Sequence, residues 1–496
     1  MKRSSRRIAA LGWIALCLLT ASCAGTKPEP RSGPDGARLA GLRQQGDSEF
    51  AKMHWRGWKN AAGFYEQALA ARDDAGLRQR LFTAYILLSL RETELLIRNA
   101  SWLQKAESLL PGIPASPHAS HFALANEKSR FISLNRSGFT AYGSSELKGE
   151  PPARDSASAL SFYLYLAYLG LVIGRDESEK FIAEENEFRR LHGNSNLALF
   201  LRSWTPREMD EKLAAFPDFA EMYKLRGDWH NRGEKYQAAL ADYQRAVEIM
   251  PVMHKASNAM GTICYALEEY GEALGHYEHS LAIDPLEPSA LFGRAICLSE
   301  LRRYEESDQA LRLMVEKQTF YHGEANYYLA KNSYYRQRWA ETRSYLDLAS
   351  AYIPDSPEMN MLSGLLYLDQ NQPGRAALDF RKVLEQEPQH AEAWYFLGQA
   401  ALQEKKMRDA RRHFQAAIAN FRSELEKFDA RLARLKSEGE SDRYQQNFYV
   451  KRLRQRSAYS RQVSGRLALL QETFRKPPLP GLRELLADLA APPPGQ

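Results

Sequence analysis

Histidine and cysteine are the residue types in this 496-residue chain that could ligate a metal or attack a substrate, and they are sparse. His118 and His121 lie three apart in a Pro- and Ser-rich stretch expected to be a loop, and two imidazoles do not complete a zinc site. His276 and His279 sit one helical turn apart and read as surface residues of a helix. The cysteines are Cys17, Cys23, Cys264 and Cys297, which make no disulfide framework. Cys264 and Cys297 read as small buried apolar side chains, with a disulfide as the lesser alternative. Packed helix axes lie about 8–10 Å apart, whereas a disulfide needs Cα atoms within about 7 Å. No Gly-x-x-x-x-Gly-Lys-Ser/Thr loop, His-Glu-x-x-His, Gly-x-Ser-x-Gly or Cys-x-x-Cys occurs. Carboxylate pairs are abundant, but on solvated helices they need no catalytic explanation. The expectation is therefore no catalytic residue, no metal and no cofactor. An enzyme with its site in residues 37–219 is kept as an alternative, which convergent titratable residues in a deep pocket there would favour.

Cys23 stands apart from the other three. Lys2, Arg3, Arg6 and Arg7 precede an apolar stretch from Ile8 to Leu19, followed by Thr20-Ala21-Ser22-Cys23. Residues 1–22 have the layout of a secretory signal, too short for a permanent span. The ending resembles a bacterial lipobox, although Thr20 stands where a larger aliphatic is usual. The resemblance implies that Cys23 becomes the first residue and carries a lipid anchor, with Ala24 next and an outer-membrane destination facing the periplasm. A signal cut near Ala21 or Ala24 without lipid is the other reading. Residues 23–36, rich in Pro, Gly and polar residues, then form a flexible tether. The chain carries a formal +6, and four of those charges lie in the leader, which leaves +2. That balance gives no global reason to expect a nucleic-acid partner.

The elements that must position any site follow from self-similarity at a period of 34. Six repeats start at Ala220, His254, Pro288, Gly323, Pro357 and Ala391. Position 8 is Gly227, Gly261, Ala295, Ala330, Gly364 and Gly398; position 20 is Ala239, Ala273, Ser307, Thr342, Ala376 and Ala410. Position 24 is Tyr243, Tyr277, Leu311, Leu346, Phe380 and Phe414. Position 32 is Pro251, Pro285, Thr319, Pro354 and Pro388 in the first five. Two helices approach closely only through small side chains, and proline ends the second helix. One such pair cannot bury its own faces, so neighbours must stack. The pattern resembles the tetratricopeptide repeat, most closely in the sixth repeat with Trp394, Leu397, Gly398, Ala410, Phe414 and Ala417. The fold class is all-α: a helical-hairpin solenoid.

Residues 37–219 form a divergent helical region. Trp58, Ala61, Tyr65 and Ala68 suggest one further repeat near 42–73, helices are expected near 77–110 and 157–190, and loops at 111–121 and 143–156. The repeats occupy 220–417. Ile418, Phe421, Leu425, Phe428, Leu432 and Leu435 alternate three and four apart, the seam of an antiparallel hairpin over 418–475 that caps the array. Its returning helix carries Lys451, Arg452, Arg454, Arg456, Arg461 and Arg466; the ordinary reading is a solvated face paired with acidic neighbours, and the alternative is an anionic partner or membrane surface. Residues 476–496 are a Pro-rich tail.

Positions 5, 9 and 12 of each first helix share one face. In the resembled family this face lines a concave peptide groove. By position it holds Lys224, Asp228, Asn258, Thr262, Tyr265, Phe292, Ile296, Tyr327, Lys331, Tyr334, Met361, Leu365, Tyr395 and Gln399. Aromatics and Met at position 5 of the last four repeats are expected to be open anchors. The alternative is that they pack within the solenoid or under the hairpin. The family's carboxylate clamp is not expected, because Asp228 stands where Asn would be needed. The functional expectation is an envelope scaffold or assembly factor with protein or peptide partners. An accessory lipoprotein of a solute-uptake system is the alternative.

Overall fold

A glycine at position 8 and a ring at position 24 are one requirement. A Cβ on Gly227 would stand 2.8 Å from the Tyr243 ring; on Gly261, 2.9 Å from Tyr277; on Gly364, 2.6 Å from Phe380; on Gly398, 2.7 Å from Phe414. The ring lies against the first helix only because no side chain is there. Where position 8 is Ala295 or Ala330, position 24 is the smaller Leu311 or Leu346, and all four are buried. The third repeat, whose glycine is missing, is thus a matched variant of the same joint.

The computed structural model describes residues 34–134, 152–173, 179–201, 203–317, 321–437 and 443–475. Among these are 21 α-helices and no strand. The first eight are α1 (Pro34–Phe50), α2 (Trp55–Ala71), α3 (Ala75–Glu94), α4 (Ser101–Leu109), α5 (Ala115–Leu134), α6 (Ala159–Ile173), α7 (Glu179–His192) and α8 (Pro206–Ala215). The repeats follow as α9 (Ala220–Arg232) with α10 (Tyr236–Ile249), α11 (His254–Ala266) with α12 (Tyr270–Ile283), and α13 (Pro288–Glu300) with α14 (Tyr304–Lys317). Then come α15 (His322–Tyr335) with α16 (Trp339–Ser350), α17 (Pro357–Asp369) with α18 (Pro373–Gln386), and α19 (Ala391–Gln403) with α20 (Met407–Ser437). The last helix is α21 (Arg443–Arg475). The chain divides into two compact units, Met1–Trp229 with Ala241–Ala256, and His230–Leu240 with Ser257–Gln496.

Five first helices begin at the residue expected from the period, and α15 begins one earlier, at His322. Position 20 is fully buried in all six repeats. In the third, Ser307 donates to the Ala295 carbonyl at 2.8 Å, so the hydroxyl is satisfied inside the core. The divergent repeat is present as α1 and α2, where Trp58, Ala61, Tyr65 and Ala68 are buried. Its small residue is Gly46, whose Cβ would stand 2.4 Å from the Tyr65 ring. Cys264 and Cys297 are buried free thiols, and burial pushes both up to about 12.

Three expectations are corrected. Helix α1 starts at Pro34, inside the expected tether; proline at the first helical position needs no hydrogen-bonded N–H. The loop expected at 111–121 is largely the start of α5, so His118 and His121 are helical. His118 Nδ1 lies 2.8 Å from the Pro114 carbonyl, and its ring meets Phe82 edge-on. The boundary at 417–418 falls within α20, which runs unbroken from the sixth repeat into the hairpin. The leader, Cys23, most of the tether, the tail and the hairpin turn lie outside the described residues. The apolar run from Ala159 is α6, with Phe162, Leu164, Leu166 and Leu169 buried. No helix among the described residues is long and apolar enough to cross a membrane.

Every repeat turns between its helices on a left-handed residue at position 15. These are Glu234, Glu268, Arg302, Gln337, Asn371 and Lys405, with φ between 55° and 61°. Non-glycine residues sit there under strain of roughly 1 kcal/mol. Gln337→Gly is exposed and touches no core, so it is expected to raise stability by about 0.5–1 kcal/mol in chemical denaturation. A loss would show that the φ value costs nothing at this turn.

Candidate functional site

The predicted first-helix face is a laterally bonded aromatic surface. Tyr265 and Tyr328 share a hydroxyl–hydroxyl bond of 3.0 Å, which joins the second repeat to the fourth. Phe292 stacks on Tyr321 at 4.9 Å and meets Tyr328 edge-on at 5.8 Å. Tyr327 meets Tyr328 at 5.3 Å. Lys331 pairs with Glu300 at 2.7 Å and lies over the Tyr328 ring. Tyr334 donates to Asp369 at 2.7 Å and meets Trp339. Tyr265, Phe292, Tyr327, Lys331 and Tyr334 remain half-buried. Burial pushes the Tyr265, Tyr327 and Tyr334 hydroxyls up, so they act as neutral donors.

The other predicted positions divide. Asn258 donates to Ser289 at 2.8 Å, and Thr262 is exposed and bonds back to the Asn258 carbonyl. Met361 and Leu365 are half-buried against the C-terminal core. Lys224 and Asp228 belong to the other compact unit and pair with each other at 2.6 Å. Ile296 is buried. Tyr395 and Gln399 are also buried, at 0% and 4% exposed, which corrects the placement of Tyr395 as an open anchor and of Gln399 on an open groove.

Helix α21 covers them. Arg466 donates to the Tyr395 hydroxyl and lies over its ring, and Tyr459 meets that ring edge-on at 5.9 Å. Val463 is fully buried in the same cluster as Phe414 and Phe421. Further along, Arg456 pairs with Glu392, and Arg452 reaches Glu268 at 2.6 Å. Lys451, Arg452 and Arg456 are thus paired with acidic neighbours, as the ordinary reading of the basic face held, whereas Arg466 is buried against Tyr395. Sequence reasoning missed Tyr328, at position 6 beside the chosen face, and Glu234 and Glu268 at position 15. The acidic residues repeated at one turn position were the available signal.

A cleft of about 600 Å³ lies where the last inter-repeat loop meets the hairpin, lined by Glu387, His390, Glu392, Glu424, Lys427 and Arg456 among others. Burial raises the Glu424 carboxyl and lowers His390 and Arg456. Its charges are largely answered internally: Arg456 Nε stands 3.2 Å from Glu424, and Lys427 donates to Gln389 at 3.2 Å.

Titratable residues also converge in the first compact unit, with Arg91, Glu92 and Glu94 inside the region held for an enzyme and Glu221 just beyond it. Arg91 Nε stands 3.5 Å from Glu94 and 3.7 Å from Glu221. Glu92 accepts from the Trp55 and Trp102 indoles at 2.9 and 2.7 Å. Arg91, Glu92 and Glu221 are 0%, 1% and 0% exposed, so this is a sealed ionic core and not a pocket that admits a substrate. Nearby, burial and the charge of His118 push His121 down to about 4. An unfolded histidine takes its proton near 6.5, so stability is expected to fall as pH drops from about 6.5 towards 4. A His121→Gln variant should show a shallower loss over that window in pH-dependent denaturation.

Comparisons with known proteins bear on the repeats. Residues 361–424 match the tetratricopeptide repeat family model. The "Protein SGT1 homolog" of Oryza sativa subsp. japonica is 40% identical over 63 residues. That match covers 13% of this chain and spans 17% of the rice protein. Among solved structures, a tetratricopeptide repeat protein of Parabacteroides merdae aligns with a TM-score of 0.36 at 19% identity, covering 48% of this chain and 91% of that one. Yeast Tom70 aligns with a TM-score of 0.34 at 14% identity, covering 90% and 100%. PilW, a type IV pilus biogenesis factor, aligns with a TM-score of 0.33 at 13% identity, covering 42% and 96%. The matched residues 361–424 fall in the fifth and sixth helix pairs, and the same 34-residue register runs back through the four earlier pairs to Ala220.

Proposed function

We propose that this protein is an envelope scaffold or assembly factor. A lipid on Cys23 holds it at a membrane, the outer membrane on its periplasmic side, and the repeat array holds protein partners. The observation that carries the reading is the first-helix face of the middle repeats. Half-buried Tyr265, Tyr327 and Tyr334 sit there in a fixed lattice beside Lys331. Rigid tyrosines with apolar rings and polar tips are efficient anchors, because little side-chain entropy is lost when a partner lands on them. The anchor rests on the leader ending in Ala21-Ser22-Cys23, and a second chain or a basic patch would be needed beside one acyl chain for stable attachment.

Affinity capture from solubilised native membranes tests the face. A partner held by the intact chain is expected to be lost from Tyr327→Ala/Tyr334→Ala while circular dichroism is unchanged. Equal capture by both would remove the face as the site. For the anchor, Cys23→Ser is expected to move the protein from the membrane pellet to the soluble envelope fraction. Its retention in the pellet would refute lipidation at Cys23.

A further inference from the structure

Helix α21 touches the repeats in two chemically different ways. Its far end, from Tyr459 to Arg466, is part of the core: Val463 is fully buried, and Tyr459 packs on Tyr395 and Phe421. Its near end is held over the inter-helix turns of the first two repeats by charge. Lys451 donates to the Glu268 carbonyl at 3.1 Å and lies 3.5 Å from its carboxylate. Arg452 reaches the same carboxylate at 2.6 Å. Gln445 donates to the Glu234 carbonyl, and Arg431 of α20 pairs with Glu234 at 2.9 Å. These partners are separated by about 180 to 210 residues of sequence. Both acidic sockets are position-15 residues in left-handed turns, and the other four repeats place Arg302, Gln337, Asn371 and Lys405 there. The acidic sockets therefore occur at the first two turns alone.

Ion pairs at the surface are individually weak and screened by salt, whereas a packed apolar seat is not. One helix with a core end and an ionic end opens from the ionic end. We propose that residues 443–456 form a salt-labile strap over Glu234 and Glu268, and that the partner displacing it is a basic amphipathic helix offering Lys or Arg to the same two sockets. The chemistry of the resident segment defines the chemistry of its competitor: two successive cations, as Lys451-Arg452, in register with an acidic turn. The strap deepens the scaffold reading above and rests on it only for the existence of a protein partner.

Hydrogen exchange on the full chain tests the strap. Raising NaCl from about 50 to 500 mM is expected to speed exchange of 443–456 at least tenfold while 459–466 stay protected. Equal salt response of both halves, or none in either, overturns it. Lys451→Glu/Arg452→Glu should reproduce the effect at low salt, and adding Glu268→Lys should restore protection, which a merely misfolded hairpin would not show. A fluorescent synthetic peptide of sequence 443–468 should bind the Lys451→Glu/Arg452→Glu chain at least tenfold tighter than the intact chain. The peptide carrying the same two reversals should not bind. Equal binding to both chains, or to neither, refutes a shared socket. Dimerisation of the variant with the peptide excluded would assign the seat to a second copy and overturn the proposal. If the strap fails while partner capture succeeds, the scaffold reading stands; if the strap holds and nothing is captured, that reading falls by itself.

Discussion

Replacing Arg91 with methionine is expected to destabilise the first compact unit by about 3–5 kcal/mol, the usual cost of leaving a buried charge without its partner. Methionine keeps much of the stem volume, so the loss reports charge and not a cavity. The guanidinium is fully buried between Glu94 and Glu221, and it also lies over Trp58 at 5.4 Å and Phe200 at 5.5 Å. Its neighbours keep some support after the change. Glu94 still accepts from the Tyr163 hydroxyl at 2.6 Å, and Glu221 from the Trp55 backbone N–H at 2.9 Å. Neither replaces a cation in a low-dielectric interior. Combining Arg91→Met with Glu94→Gln and Glu221→Gln removes the uncompensated charges and is expected to recover at least half of the loss. Urea denaturation followed by tryptophan fluorescence would read it, since Trp55 and Trp102 both bond to Glu92 in the same cluster. A single-variant loss below about 1 kcal/mol would show that the cluster contributes no more than an exposed pair.

Gly398→Ala is expected to destabilise the C-terminal core by about 1–2 kcal/mol, although alanine is the better helix former by about 1 kcal/mol. The steric term wins because the new Cβ would stand 2.7 and 2.8 Å from the Phe414 ring. That ring has nowhere to move: it is fully buried, with Tyr395 at 5.8 Å and Ala410 and Ala417 buried around it. Overpacking at such a site costs about 1–3 kcal/mol. Phe414→Leu alone should cost about 1–2 kcal/mol by opening a cavity. The double variant rebuilds the Ala–Leu pair found natively in the third and fourth repeats, so the two changes should couple favourably by at least about 1 kcal/mol. Additive losses in the double-mutant cycle would show that positions 8 and 24 do not form one joint.

The amino-acid sequence by itself determined the repeat register. Gly227, Gly261, Gly364 and Gly398 recur with their rings sixteen residues later, and each pairing closes within one helix hairpin, so a local pattern is enough to read it. Helix starts were legible for the same reason: proline or a capping side chain such as Ser356 acts on the residues next to it. In α5 that local logic misled, because a stretch rich in Pro and Ser is helical here, with the His118 ring packed against Phe82 of α3.

Only the tertiary structure decided which part of the first-helix face is open. Tyr395 and Phe292 occupy the same repeat position, yet Tyr395 is sealed beneath Tyr459 and Arg466 while Phe292 stays half-exposed. No spacing rule contains that difference, because it depends on a helix that returns from beyond the array. The ionic core follows the same principle. Arg91 meets Glu221 across 130 residues of chain, and Arg452 meets Glu268 across 184. Partners so far apart leave no periodic trace in the sequence, since their pairing is set by how packed helices bring distant turns together and not by any requirement within a turn.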